Sequence, residues 1–431
     1  MAGKGFKAGL RAGAMALVLG AAATPALAQR SAVFLHPDGM GTNTWAATRL
    51  LTVGPDGRLA WDQMRAAPYI GPMLNSLTAS SNGGGTTHAW GVRARTDSFG
   101  MVEGQPITTA RSGAREPLML EAKRRGKAIG LVNTASITDA GTGTQIAVVA
   151  NRRDHAEIAS QLLAARPEVL LGGGEGWFLP AEVTGQHGPG LRTDGRNLIE
   201  EAKAAGYTVV FTATELAALP ASTRRVLGLF AHEDTFNEGT EEALREAGLT
   251  PYQAQAPRYD QMVEAALRVL AHDRDGFYLM AEEEATDNFG GDNNASAVLE
   301  AASGADRAVK LALAAAARNS NLTVLVASDS DCGGLQPIDD DWVAGQPLPE
   351  RLENGSPLDG PEGTASVPFL AAPDARGQRL PFAVAWATDG DASGGGTVRV
   401  TGPGVRAMPP TMDSTDVYAV IYAGLFGRRV R

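Results

Sequence analysis

Short apolar runs rich in β-branched residues recur along the chain, and most are followed by a stretch with helical spacing. The runs are Ala32–Leu35, Ala128–Val132, Val169–Leu171, Thr208–Phe211, Phe277–Ala281, Thr323–Ala327 and Phe382–Trp386. Helical spacing covers Pro117–Arg125, His155–Ala165, Asn197–Ala205, Tyr259–Ala271, Ser296–Arg318 and Ser414–Leu425. Strands alternating with helices of this length predict an α/β fold, a mostly parallel central sheet with helices on both faces. In such sheets the chemistry lies beyond the carboxyl ends of the strands.

Residues 333–381 break the alternation. They are acidic, rich in Gly and Pro and without clear periodicity, which predicts a loop-rich cap inserted into one catalytic domain spanning 29–431. Residues 1–28 read as a signal peptide: Lys4, Lys7 and Arg11 precede an apolar stretch from Ala14 to Ala23, and Ala26-Leu27-Ala28 is a cleavage motif. That predicts a periplasmic or secreted protein with no membrane attachment once the signal is removed. Cys332 is the single cysteine, so no intrachain disulfide can staple the fold. A formal net charge of −10 argues against nucleic acid as partner. It leaves a small anion possible, because bound cations and arginine can reverse the sign locally.

Four of the predicted strands end in acids. They are Asp38 within His36-Pro37-Asp38-Gly39, the run Glu282-Glu283-Glu284 with Asp287, the pair Asp329 and Asp331 around Ser330, and Asp389-Gly390-Asp391. Carboxylates gathered at one rim repel each other and are costly to desolvate, and divalent cations resolve both problems.

Several segments also carry a family resemblance. VFLHPDGMG (Val33–Gly41) resembles the opening strand of alkaline phosphatases, and AIGLVNTASITDAG (Ala128–Gly141) their second core strand. Asn151-Arg152, LLGGG (Leu170–Gly174), FYLMAEEEATD (Phe277–Asp287) and ASDSDCGG (Ala327–Gly334) follow in the family's order. GPG (Gly402–Gly404) and STDVYAVI (Ser414–Ile421) resemble its carboxyl-terminal segments.

The resemblance implies a phosphate-ester hydrolase with a serine nucleophile at a helix start, where free N–H groups favour an oxyanion. GVRARTDSFGM (Gly91–Met101) sets the register: an ungapped count gives Ser81, and one inserted glycine gives Ser80. Thr96-Asp97-Ser98 looks like a family signature but stands at the wrong place in the order. Carried over residue by residue, Asp38 bridges two metal positions, Asp287 serves the first, Asp329 the second and Glu282 a third. Arg152 would clamp the phosphate.

Three family histidines are missing. Their places hold Gly291, Ser330 and Asp391, with Asp292, Asp331 and Asp389 alongside. A threonine ligand of the third position is replaced by Gly141, with Asp139 nearby. Two or three divalent ions are therefore expected, calcium or magnesium ahead of zinc, because an oxygen-only donor set suits hard cations. His36, two residues before Asp38, and His88, seven after Ser81, read as packed or partly exposed side chains, with contact to the site as the alternative, and His155, His187, His232 and His272 as loop or surface residues. The expected activity is phosphate monoester hydrolysis through a phosphoserine. A phosphodiesterase on the same scaffold and a non-catalytic periplasmic binding protein stand as alternatives, and a homodimer as an open expectation.

Overall fold

The computed structural model describes residues 1–3, 29–393 and 396–430. The expected signal segment thus lies almost wholly outside the described residues. Ten strands form the central sheet: β1 Ser31–Pro37, β2 Arg65–Ile70, β3 Ala128–Ser136, β4 Val169–Gly173, β5 Thr208–Val210, β6 Val226–Leu229, β7 Phe277–Glu283, β8 Leu322–Val326, β9 Thr397–Thr401 and β10 Met412–Asp413. Their order is β10-β2-β9-β8-β1-β7-β3-β4-β6-β5. Seven neighbours from β8 to β5 run parallel, and β9 runs antiparallel to both β8 and β2.

The alternation of side chains along each strand builds two cores. Phe34, Ile129, Leu131, Leu170, Tyr278, Met280 and Leu325 point to one face, against helices Leu118–Arg124, His155–Ala164 and Ser414–Phe426. Val33, Leu35, Val132, Leu171, Leu279, Ala281, Val324 and Val326 point to the other, against Tyr259–Leu270 and Ala295–Arg318. With both faces covered, the strands need no polar alternation, which is why they read as continuous apolar runs.

Two expectations are corrected. The run at Phe382–Trp386 is not a strand of the central sheet. Pro381–Ala385 pairs antiparallel with Gln336–Ile338, Leu358–Gly360 and Phe369–Leu370 in a separate small sheet. Part of the acidic 333–381 stretch is thus strand, packed over Leu348, Leu358, Ala383 and Ala385. The central sheet instead takes four strands that were not expected: the short β6 and β10, and β9 and β2, whose mixed sequences TVRVT and RAAPYI carry a weaker apolar signal. Among the described residues, no helix is long and apolar enough to cross a membrane.

Candidate metal centre and catalytic pocket

Parallel pairing aligns the carboxyl ends of β1, β7, β3 and β8, and the acids gather there. Asp38 follows β1 directly. Its Oδ1 accepts from the Gly39 amide at 2.9 Å, while Oδ2 is buried without a partner. Gly39 has φ +63°, and a Cβ there would stand 2.5 Å from Asp287 Oδ1 and 2.7 Å from Cys332 Cβ. Glycine is therefore required both for the turn and for the close approach of two acid-bearing segments. Asp329, just past β8, lies close enough to Asp38 for that neighbour to raise its carboxyl further above the ordinary range, after burial, and its Oδ2 is buried and unpaired. Gly84 admits that carboxylate, since a Cβ there would come 2.3 Å from Asp329 Oδ2.

Glu282 stands in register with His36 on one side and Asn133 on the other. Asn133 Nδ2 donates to Glu282 Oε2 at 2.5 Å, and Oε1 is left buried and unpaired. At Gly141 the missing side chain is replaced by this carboxylate: a Cβ would fall 1.5 Å from Glu282 Oε1. Among the described residues two sets of potential ligand atoms occur, His36/Asp38/Glu282 and Asp287/Cys332/Asp391, the atoms of each set lying within 4.8 Å of one another. Cys332 pairs in register with Asp391. Its Sγ would stand 3.7 Å from a Cβ at Gly291, beside one of the vacated histidine positions. Ser330 Oγ donates to Asp391 Oδ1 at 2.6 Å and so orients it.

Asp331 and Asp292 lie outside both sets. The Asp331 carboxyl packs over Gly41, where burial pushes it up to about 6. Asp292 Oδ2 accepts from the Gly239 amide at 2.6 Å. The expectation of an oxygen-only donor set thus omitted two side chains that the fold brings in. For His36 the alternative reading applies: it is buried and faces two carboxylates, Asp38 and Glu282. Strand periodicity puts residues i and i+2 on one face, so its spacing from Asp38 was the available signal. Cys332 carried no such local sign.

Ser81 is the first residue of the helix Ser81–Trp90, and Ser80 is its N-cap. The Ser80 hydroxyl donates to Thr96 O at 2.6 Å and accepts from the Gly83 amide at 3.4 Å, so it is committed to the cap. Ser81 lines a cavity of about 610 Å³ with Asp139, Arg152, His155, Glu284, Asp287 and Asp292. Arg152 reaches Asp139 at 2.7 Å, and the Asp139 charge raises the guanidinium pKa. His155 belongs to this wall rather than to a bare surface: it stacks on Trp177 at 4.9 Å and pairs with the Thr138 hydroxyl. His88 is packed as expected, its Nε2 3.1 Å from Tyr69 Oη. Asp97 of the displaced signature is exposed, and the Ser98 hydroxyl accepts from the Arg95 amide.

Burial raises Glu282, Glu284, Asp287 and Asp329 well above the ordinary carboxylate range, and charged neighbours add to it. Glu283 is pushed up to about 8 and Asp234 to about 7, mainly by burial. Without metal the folded state holds protons that the unfolded chain has released, so stability falls as pH rises toward those values. Burial keeps His36 and His88 neutral, which acts in the opposite sense but only below about pH 6.5. Chelator-treated protein should therefore melt progressively lower from about pH 6.5 to about pH 8.5. Saturating divalent metal should flatten the slope and add most at the alkaline end. Scanning calorimetry at both pH values checks this; a metal-free melting temperature that climbs over the range contradicts it.

The alkaline phosphatase family model matches residues 29–350. Streptomycin-6-phosphate phosphatase of Streptomyces griseus is 32% identical over 340 residues, covering 70% of this chain and 73% of that protein. A membrane-bound alkaline phosphatase of Bombyx mori is 29% identical over 69% of this chain and 60% of its own length. Among solved structures, the Thermus thermophilus alkaline phosphatase superposes with a TM-score of 0.68 at 23% identity, covering 96% of each chain. The enzyme from the Antarctic bacterium TAB5 gives 0.67 at 19% identity, covering 93% of this chain and 98% of its own. A variant of the TAB5 enzyme was solved with magnesium in a site termed M3. At these identities the two structures establish the fold.

Proposed function

The chain belongs to the alkaline phosphatase family, and from that premise we propose that it is an exported, metal-dependent phosphate monoester hydrolase acting through a phosphoserine at Ser81. The family is one of divalent-metal-dependent phosphatases, and small phosphate esters are the substrates it implies. The observation that carries the reading is convergence on one cavity: Ser81, at a helix start, lines it together with Arg152 and Asp287.

The donor set fits cations. Buried oxygens of Asp38, Glu282 and Asp329 lack partners, and so does His36 Nε2. Asp38, Asp329 and Asp287 would hold the ions next to Ser81, with Asp391 and Cys332 supporting the Asp287 side. The all-oxygen pair of Asp38 and Asp329 suits calcium or magnesium. Bound cations would supply Lewis-acid charge that lowers the serine hydroxyl pKa and offsets the phosphoryl oxygens.

The protein's own groups then do the following. The Ser81 oxygen attacks phosphorus in line, and the ester oxygen leaves on the opposite side. The first-turn amides of the helix and the fork of Arg152 hold the equatorial oxygens, while Asp139 fixes the guanidinium plane. Water then attacks the phosphoserine, releasing phosphate and restoring the hydroxyl. Export rests on the sequence of residues 1–28 alone.

The test compares an aryl monophosphate with the corresponding diester, after chelation and readdition of calcium, magnesium, manganese or zinc singly. Metal-dependent phosphate release from the monoester, with the diester clearly slower, is expected. Faster turnover of the diester would reassign the substrate class, and no release with any metal would overturn the enzymatic reading.

A further inference from the structure

We propose that His36 is itself a metal ligand, binding through Nε2 and forming with Asp38 and Glu282 a mixed nitrogen–oxygen position that takes a zinc-like ion in preference to calcium or magnesium. The inference rests on the metal-dependent reading above and concerns a side chain that the carried-over ligand set does not include.

The three side chains are almost completely buried, at 1%, 1% and 0% exposure. His36 Nε2 lies 3.5 Å from Asp38 Oδ1 and 4.0 Å from Glu282 Oε1, too far for hydrogen bonds. Two atoms that share one tetrahedral ion at zinc bond lengths stand about 3.4 Å apart, so the Asp38 spacing matches ligands of a common cation and the Glu282 spacing reaches it by closing about 0.6 Å. Nε2, Asp38 Oδ2 and Glu282 Oε1 are all buried without partners.

The tautomer points the same way. His36 Nδ1 faces the Ala327 carbonyl at 3.3 Å, an acceptor only, so Nδ1 carries the proton. Nε2 then presents a lone pair toward two carboxylate oxygens. Three acceptors converging in a dry pocket repel one another unless a cation sits among them. This is also the usual second-shell arrangement of a ligating imidazole, one nitrogen to the metal and the other donating to a backbone carbonyl. The ring is held in place by Phe34 and His88, at centroid distances of 5.3 and 5.5 Å.

The sheet explains why this side chain serves. Register places His36 beside Glu282. At Gly141 there is no side chain to donate, and its space is filled by the glutamate itself. The nitrogen comes instead from the neighbouring strand. A nitrogen donor shifts preference from hard cations toward zinc and its neighbours.

Equilibrium dialysis of chelator-treated protein against zinc tests the assignment. Relative to the wild type, His36→Gln and His36→Phe should lose one equivalent or bind it at least about 100-fold more weakly. His88→Phe, a buried ring change next door, should retain every equivalent. Unchanged zinc equivalents and affinities in both His36 variants would overturn the proposal. Should these variants fail to fold, zinc-edge X-ray absorption of the loaded wild type decides: imidazole scattering supports His36, and a shell of oxygen and sulfur alone overturns it. Normal zinc counting without phosphate release would sink the enzymatic reading while leaving His36 in place.

Discussion

Replacing Ser81 by Ala should lower phosphate release from an aryl monoester at least about 10³-fold, the scale on which removing a covalent nucleophile acts. Ser80→Ala should be mild in comparison. Its hydroxyl caps the helix through Gly83 and donates to Thr96 O, so the loss appears mainly as about 1 kcal/mol of stability. The contrast follows from one residue of helix phase. At the N-cap the side chain turns back to satisfy the helix's own amides; at the next position it faces the cavity that holds Arg152 and Asp287. Measuring kcat and melting temperature for both variants separates the roles. If the larger loss of turnover belonged to Ser80→Ala, the two hydroxyls would exchange roles. If neither variant lost activity, the phosphoserine route would be excluded.

Asp38→Asn should be the second most damaging change, and its signature should be thermodynamic as well as kinetic. The variant keeps the shape of the side chain and removes its charge. Asp38 lies 3.5 Å from His36 Nε2 and adds to the electrostatic cost of ionising Glu282, Asp287 and Asp329. Without metal, the variant should be at least as stable as the parent, because one charge is removed from a crowded acidic cluster. With metal, the gain should collapse. A ligand present at a hundred times its Kd stabilises by about 2.7 kcal/mol, and that increment disappears once affinity is lost. Turnover should fall by at least about 10²-fold, since cation charge supplies several kcal/mol of transition-state stabilisation. Calorimetry with and without metal, paired with the phosphate assay, checks both parts. Full metal-induced stabilisation in the variant would remove Asp38 from the centre.

Different physical ranges governed what could be read from the chain. Six of the seven expected strands lie in the central sheet, because a strand buried on both faces must be apolar over its whole length, and that is a local property. β6 (VLGL) is buried throughout and was missed all the same, and β10 is only two residues long; β9 and β2 escaped notice because apolarity is not continuous in them. They are mixed in composition, with exposed or half-buried positions in RAAPYI and TVRVT, so no local pattern set them apart from loop. Phe382–Trp386 was legible as a strand but not as a strand of the small sheet, since partner choice is not written in a strand's own sequence.

The candidate site divides in the same way. Asp38, Glu282, Asp287, Asp329 and Arg152 stood out as residues because acids collect after apolar runs and because their segments resemble a family in order. Which atoms meet was decided only by the folded sheet. His36 and Glu282 are far apart in the chain and become neighbours through parallel register between β1 and β7. Cys332 and Asp391 meet through a two-residue antiparallel pair. Ser81 separates from Ser80 only once the helix has a first residue and a cap. Burial and hydrogen bonding to near neighbours act over a few residues and leave a mark in sequence. Electrostatic crowding acts through space between distant segments, so the composition of a dry, charged centre becomes visible only when the backbone has closed around it.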